Sequence, residues 1–349
     1  MKKHSNTVKQ VKQIKQIKQI CFAGLGVFVL AGCSGKTDIG KGPDIIAGML
    51  SEALGTELER TAVQMLEEGP VEIGSIETGS IETGSIEAKT AEADWSDYFD
   101  GLPGAAVLFD ASARQYTVYN RGLAEARHSP CSTFKIISSL IALEEGIIEP
   151  DNSVRKWSGE TFWKEEWNRD IDFREAFRES CVWYFREVID EIGPERMQEE
   201  LLGLAYGNCD CSDWEGRQNT NNSNRALTGF WIESSLAISP REQTEVMARI
   251  FGESSVYSSA AQDALRQVML TEGPDETGVS IYGKTGMGKT GGVLADAWFA
   301  GFSEREGEAI YFCVYLGQTE RQDASSTRAK EIAIQLVQDY WDGPACIIP

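Results

Sequence analysis

Apolar positions along this chain fall into blocks of different period. Gly104-Ala-Ala-Val-Leu-Phe-Asp110 and Gln115-Tyr-Thr-Val-Tyr119 predict two strands joined by a short polar turn. The run from Phe134 to Leu143 is apolar on nearly every side, which predicts a helix buried in a core and ending at Gly146. Residues from about 150 to 250 carry mainly helical patterns. Strand patterns return at Val279-Ser-Ile-Tyr282, Ala297-Trp-Phe-Ala300 and Ala309-Ile-Tyr-Phe-Cys-Val-Tyr315, and a last helix runs from about Thr327 to Tyr340. Strands from both ends with helices between them predict an α/β (α+β) fold, a sheet with an inserted helical region.

The pattern changes before Asp94. Residues 1–32 hold six lysines and no acid, then an apolar run from Ile20 to Leu30. A basic segment followed by a short apolar one predicts a signal peptide. An uncleaved membrane anchor is the alternative. Leu30-Ala31-Gly32-Cys33 resembles the lipobox of bacterial lipoproteins, a family in which the chain is cut before the cysteine and Cys33 would be lipidated. That resemblance implies an exported chain held to a membrane through Cys33. It would face the periplasm in a Gram-negative cell, where Ser34 favours the outer membrane. Ile45 to Glu68 has helical periodicity and predicts a short amphipathic helix. Gly74-Ser-Ile-Glu-Thr78 recurs at Gly79 to Thr83 and begins again at Gly84, the composition of a flexible acidic tether. The expected organisation is therefore a signal at 1–32, a lipidated cysteine and tether at 33–93, and a globular domain at 94–349.

Charge and rare residues narrow the chemistry. The net charge of −21 argues against a nucleic-acid partner. Of eight cysteines, Cys21 leaves with the signal and lipidation uses Cys33, so an even six remain. An even count in an exported protein permits disulfides. Cys209-Asp210-Cys211 lacks zinc-site spacing, and the chain has only two histidines, His4 and His128, so a metal site is not expected. A Ser-His-Asp enzyme would have to use His128, and no G-x-S-x-G elbow is present.

Ser132-Thr133-Phe134-Lys135 offers a different route. Positions three apart share a helix face, so the Ser132 hydroxyl and the Lys135 amine can meet. Apolar surroundings favour the neutral amine of Lys135. A neutral amine beside a serine is a base beside a nucleophile.

Further motifs follow in order: Ser180-Cys181-Val182, Tyr206-Gly207-Asn208 and Lys284-Thr285-Gly286. Trp167-Asn-Arg-Asp170, Phe230-Trp-Ile-Glu233, Ile238-Ser-Pro240 and Trp298-Phe-Ala-Gly301 accompany them. Together they resemble the serine β-lactamases and penicillin-binding proteins, and most closely class D β-lactamase, over roughly residues 94–349. The resemblance implies a penicillin-recognising transpeptidase-like fold with an antiparallel sheet. It implies β-lactam substrates, no cofactor, Ser132 as nucleophile, and Lys135 carboxylated by CO2 as general base. It gives Trp231 the support of that carbamate, Val182 an apolar wall, and Ser180 with Lys284 the proton transfer to the lactam nitrogen. Thr285 and Arg328 would bind the substrate carboxylate, and the Ser132 and Met287 N–H groups would form the oxyanion hole. Gly286, Trp167, Met287, Tyr206 and Asn208 would contact substrate, although Tyr206-Gly-Asn also reads as a plain turn.

Lys-Thr-Gly occurs at 284–286 and again at 289–291; the alternating lead-in at Val279–Tyr282 favours the first. Gly283 to Thr290 also spells G-x-x-x-x-G-K-T, but a P-loop needs a helix after it, and turn and strand signals follow here. Cys131 and Cys181 flank the two serines, and a disulfide between them is expected if the serines meet. The rival readings are a penicillin-binding protein, a β-lactam sensor and, from another class, a nucleotide-binding protein.

Overall fold

The computed structural model describes residues 88–343 with the exception of 275. The signal, Cys33, the 45–68 segment, the Gly-Ser-Ile-Glu-Thr repeats and Cys346 lie outside the described residues. Among the described residues seven strands form one sheet in the order β1-β3-β2-β7-β6-β5-β4. They are β1 (Lys89–Glu92), β2 (Gly104–Asp110), β3 (Gln115–Tyr119), β4 (Leu270–Glu272), β5 (Ser280–Thr290), β6 (Val293–Arg305) and β7 (Glu308–Leu316). Every pairing is antiparallel except β1 with β3. The helices are α1 (Ser96–Phe99), α2 (Arg121–Glu125), α3 (Lys135–Glu144), α4 (Phe173–Arg178), α5 (Val182–Ile192), α6 (Pro194–Leu204), α7 (Pro240–Phe251), α8 (Ser259–Met269) and α9 (Ser326–Asp342).

Strand periodicity explains how the sheet is sandwiched. Successive side chains point to opposite faces, so a strand buried on both sides must be apolar throughout. In β7, Ile310, Phe312, Val314 and Leu316 pack toward α1 and α9. Tyr311, Cys313 and Tyr315 point the other way, Tyr311 into the large core that holds α3 to α8. The expected helical insertion is present, though long irregular stretches separate its helices.

Three elements differ from the sequence reading, the short edge strand β4 among them. The folded part begins at β1, inside the segment expected to be tether, because Lys89–Glu92 adds an edge strand beside β3. Strand β5 also continues past the first Lys-Thr-Gly to Thr290, turns at Gly291-Gly292 (φ +59 and +83) and returns as β6. The second Lys-Thr-Gly is thus a hairpin tip with no helix behind it, as the reading against a P-loop expected.

Candidate active site

Ser132 lies in a 3-10 turn, Cys131–Phe134, which runs directly into α3. In that tighter winding positions i and i+3 eclipse. Lys135 Nζ accordingly donates to Ser132 Oγ at 2.9 Å. The turn is fastened on several sides. Cys131 N–H donates to the Trp231 carbonyl at 3.0 Å, and Trp298 Nε1 donates to the Ser129 carbonyl at 2.9 Å. Gln243 Nε2 donates to Thr133 Oγ1, which donates to the Pro130 carbonyl, both at 2.7 Å. These bonds hold Cys131 at φ +50, a region that L-residues rarely enter.

Lys135 is 1% exposed, with Nζ 5.4 Å from the Phe185 ring centre. Burial lowers its pKa to about 8, with the charge of Lys164 acting in the same direction.

A second serine–lysine pair stands beside the first. Ser180, at φ +54, links the end of α4 to the start of α5. Lys284 Nζ donates to Ser180 Oγ at 2.5 Å and reaches the Thr285 carbonyl and Oγ1 at 3.2 and 3.3 Å. Lys284 is also buried, 5.6 Å from the Phe177 ring centre. Its pKa is pushed well below the ordinary lysine value, first by burial and then by Lys135 and Lys164. Gly286 brings β5 against the Ser132 turn, since a Cβ there would lie 2.9 Å from the Pro130 carbonyl. Of the two Lys-Thr-Gly copies, the one at 284–286 is therefore the one at the serines.

Two serine hydroxyls, each bonded to a buried lysine amine, supply a nucleophile with one proton acceptor and a hydroxyl with one proton source. Residues 103–338 match the family described as the penicillin binding protein transpeptidase domain. The chain belongs to the penicillin-binding protein transpeptidase family. Within this transpeptidase family it is 33% identical over 244 residues to the probable beta-lactamase YbxI of Bacillus subtilis, covering 70% of this chain and 83% of that protein. It is 31% identical to the regulatory protein BlaR1 of Bacillus licheniformis over 70% of this chain, but spans only 38% of that protein's length. A solved class D beta-lactamase from Bacillus subtilis superposes with a TM-score of 0.61 at 30% identity, covering 74% of this chain and 97% of that one.

The remaining expected residues of this transpeptidase domain divide into two groups. Val182 opens α5 next to Cys181, half-buried. Trp231 is buried with its ring stacked on Phe134, centroids 6.1 Å apart. Met287 follows Gly286 on β5 and is 45% exposed. Val182 and Met287 thus sit on elements that carry the two pairs, and Trp231 reaches the Ser132 turn from a separate loop through its carbonyl bond with Cys131 N–H. Arg328 lies in the first turn of α9, where its guanidinium donates to the Tyr98 carbonyl at 3.1 Å and to Glu331 at 3.3 Å. Asn208 is exposed and ties its turn to the 235–237 loop through the Ser235 carbonyl and Ala237 N–H.

Three expectations are corrected. Tyr206 is 0% exposed and packs edge-on to Phe134, so it supports the Ser132 turn from below and cannot touch a substrate. Trp167 is 4% exposed, with its indole N–H spent on the Glu179 carbonyl at 3.1 Å, so it is a frame residue and not a lining one. Cys131 and Cys181 are both free thiols. Cys131 Sγ is turned to Ser129 Oγ, 3.6 Å away, while Cys181 ends the linker that carries Ser180 and precedes α5. Burial pushes the Cys181 thiol up to about 12 and Cys131 higher still, so both stay protonated.

Two residues escaped the sequence reading. Lys164 binds both the carbonyl and the carboxylate of Glu179, at 2.8 and 2.9 Å. Glu233 accepts from Lys289 N–H at 2.6 Å and donates its own N–H to Ser129 Oγ at 2.8 Å, joining the β5–β6 hairpin to the Ser132 turn.

Proposed function

We propose that this chain is a class D-type serine β-lactamase, hydrolysing the lactam amide of penicillin-type antibiotics and so conferring resistance. The observation that carries the reading is the paired geometry, 2.9 Å at Ser132–Lys135 and 2.5 Å at Ser180–Lys284. Ser132 Oγ attacks the lactam carbonyl, passes its proton to the base at Lys135 and forms an ester as the C–N bond breaks. The Ser132 and Met287 N–H groups are the proposed donors to the developing oxyanion. The Ser180 hydroxyl delivers a proton to the departing nitrogen and is reprotonated from Lys284, with which it shares a hydrogen bond. Water then cleaves the ester and frees Ser132. Thr285 would meet the substrate carboxylate, and Arg328 joins it if substrate draws the guanidinium from Glu331.

The site around Lys135 fits the carbamate that class D resemblance implies. Its amine is buried beside Phe185, and its depressed pKa keeps a fraction neutral near pH 7. A carboxylate added to Lys135 Nζ from CO2 would supply the general base. Val182 and Trp231 would wall it from bulk water.

Mass spectrometry of the penicillin-treated protein over time tests the reading. A transient adduct on Ser132, lost in Ser132→Ala, is the expected result. A lasting adduct would identify a receptor in place of a hydrolase, and no adduct would end the proposal.

We also propose export and anchoring through Cys33, on the strength of the basic segment, the apolar run and Leu30-Ala-Gly-Cys33. Labelled fatty acid should enter the wild-type chain and not Cys33→Ser.

A further inference from the structure

We infer that Lys164, assisted by Trp167, is a positioning residue that locks Ser180 onto Lys284, an inference resting on the hydrolase reading above. The two donors converge on one atom. Lys164 Nζ and Trp167 Nε1 reach the Glu179 carbonyl at 2.8 and 3.1 Å. That carbonyl belongs to the peptide unit joining Glu179 to Ser180. Peptide units are planar, so turning Ser180 out of φ +54 must swing this carbonyl away from both donors. A left-handed serine costs energy on its own, and the two hydrogen bonds oppose its relaxation. What they preserve is the 2.5 Å contact of Ser180 Oγ with Lys284 Nζ.

The donors themselves are well held. Lys164 also binds the Glu179 carboxylate at 2.9 Å, and Trp167 ends a 3-10 turn, Glu165–Trp167. Asn168 closes this loop by accepting from Phe162 N–H at 2.7 Å and donating to the Phe162 carbonyl at 3.0 Å. Trp183 Nε1 pins the Trp167 carbonyl at 2.9 Å. A plain surface ion pair would need only the Glu179 carboxylate. The carbonyl contact, shared with an indole, has no purpose there.

Lys164 also bears on the protons of both catalytic amines. The groups that act on Lys135 are Cys131, Cys181 and Lys164; those on Lys284 are Lys135, Lys164 and Glu179. Burial is the larger influence in each case, and the positive charge of Lys164 adds to it.

The test uses the full chain with Lys164→Met, Lys164→Arg and Trp167→Phe, and single-turnover acylation on two acyl donors. Benzylpenicillin has a nitrogen leaving group that needs a proton. An activated aryl ester loses phenoxide without one. Lys164→Met should slow penicillin acylation about tenfold or more, a part of what a general acid contributes, and ester acylation less than about threefold. Its acid limb should move to higher pH, because the base Lys135 holds its proton longer without the neighbouring charge. Lys164→Arg should retain both rate and limb. Trp167→Phe should show the same substrate split, more weakly, and decides alone if Lys164→Met does not fold. Equal slowing on both donors with an unmoved limb, or wild-type rates throughout, overturns the inference. A wild-type chain that never acylates would instead overturn the functional reading.

Discussion

Burial is what chiefly lowers the Lys135 pKa, and the positive charge of Lys164 acts in the same direction. A lysine pKa lowered to about 8 means that the amine gains a proton as pH falls through that value. Only the neutral form can accept the Ser132 proton or add CO2, so acylation should weaken progressively below about pH 8. Stopped-flow acylation across this range checks it, and a rate that does not change with pH contradicts it. A second prediction concerns which Lys-Thr-Gly operates. Lys284→Ala should reduce turnover by about a hundredfold or more, since it removes the partner of Ser180. The Lys289 side chain is exposed, so Lys289→Ala should leave steady-state kinetics near wild type. Reversal of that pattern would move the site to the hairpin tip. The Ser132–Lys135 contact was legible because both partners lie on one turn, where spacing alone brings them together. Ser180 and Lys284 are 104 residues apart, and only the order of motifs in a familiar family linked them. Lys164 was illegible for a different reason: its partner is a backbone carbonyl, which leaves no mark in a sequence.

Strands with long apolar or alternating runs were found, and the two short edge strands, β1 and β4, were not. Lys89-Thr-Ala-Glu92 has no apolar face, yet it forms β1 because β3 offers a free edge. Its mostly exposed side chains suit an edge, where charges discourage pairing between molecules. Tethers and polar edge strands share this composition, so the boundary was placed five residues late. The reach of β5 was missed because glycines at 283, 286 and 288 interrupt its pattern. Gly286 is where the strand touches the Ser132 turn, with Thr133 as well as Pro130 in the way of any side chain. Gly286→Ala should therefore destabilise the domain by about 1–3 kcal/mol and lower acylation by parting the two serine–lysine pairs. Urea unfolding and single-turnover acylation measured together would show it; a variant normal in both would mean that the strand yields freely.

The sheet divides the folded domain into a face covered by α1 and α9 and a face that carries the chemistry, with thiols sealed inside. Cys131, Cys181 and Cys313 are buried, and burial raises each thiol pKa. Maleimide mapping of the native protein should find these three unlabelled, and labelling should appear with global unfolding; rapid native labelling of Cys313 would show that the centre of the sheet opens locally. Fold class was readable at this level because strands at both ends of the chain must meet somewhere. Where they meet could not be read, since pairing between distant strands follows from the assembled core and not from either segment. The central partners are β2 and β7, paired from Gly104 with Leu316 to Asp110 with Ile310. A ribosome releases β2 about two hundred residues before β7 exists, a separation that belongs to slow, non-local folding. Until then β2 and β6 have no strand between them, and a chain broken off before Glu308 cannot close its sheet at all. The same delay would serve the proposed export, because a chain whose sheet is still open is a chain that a secretion channel can thread.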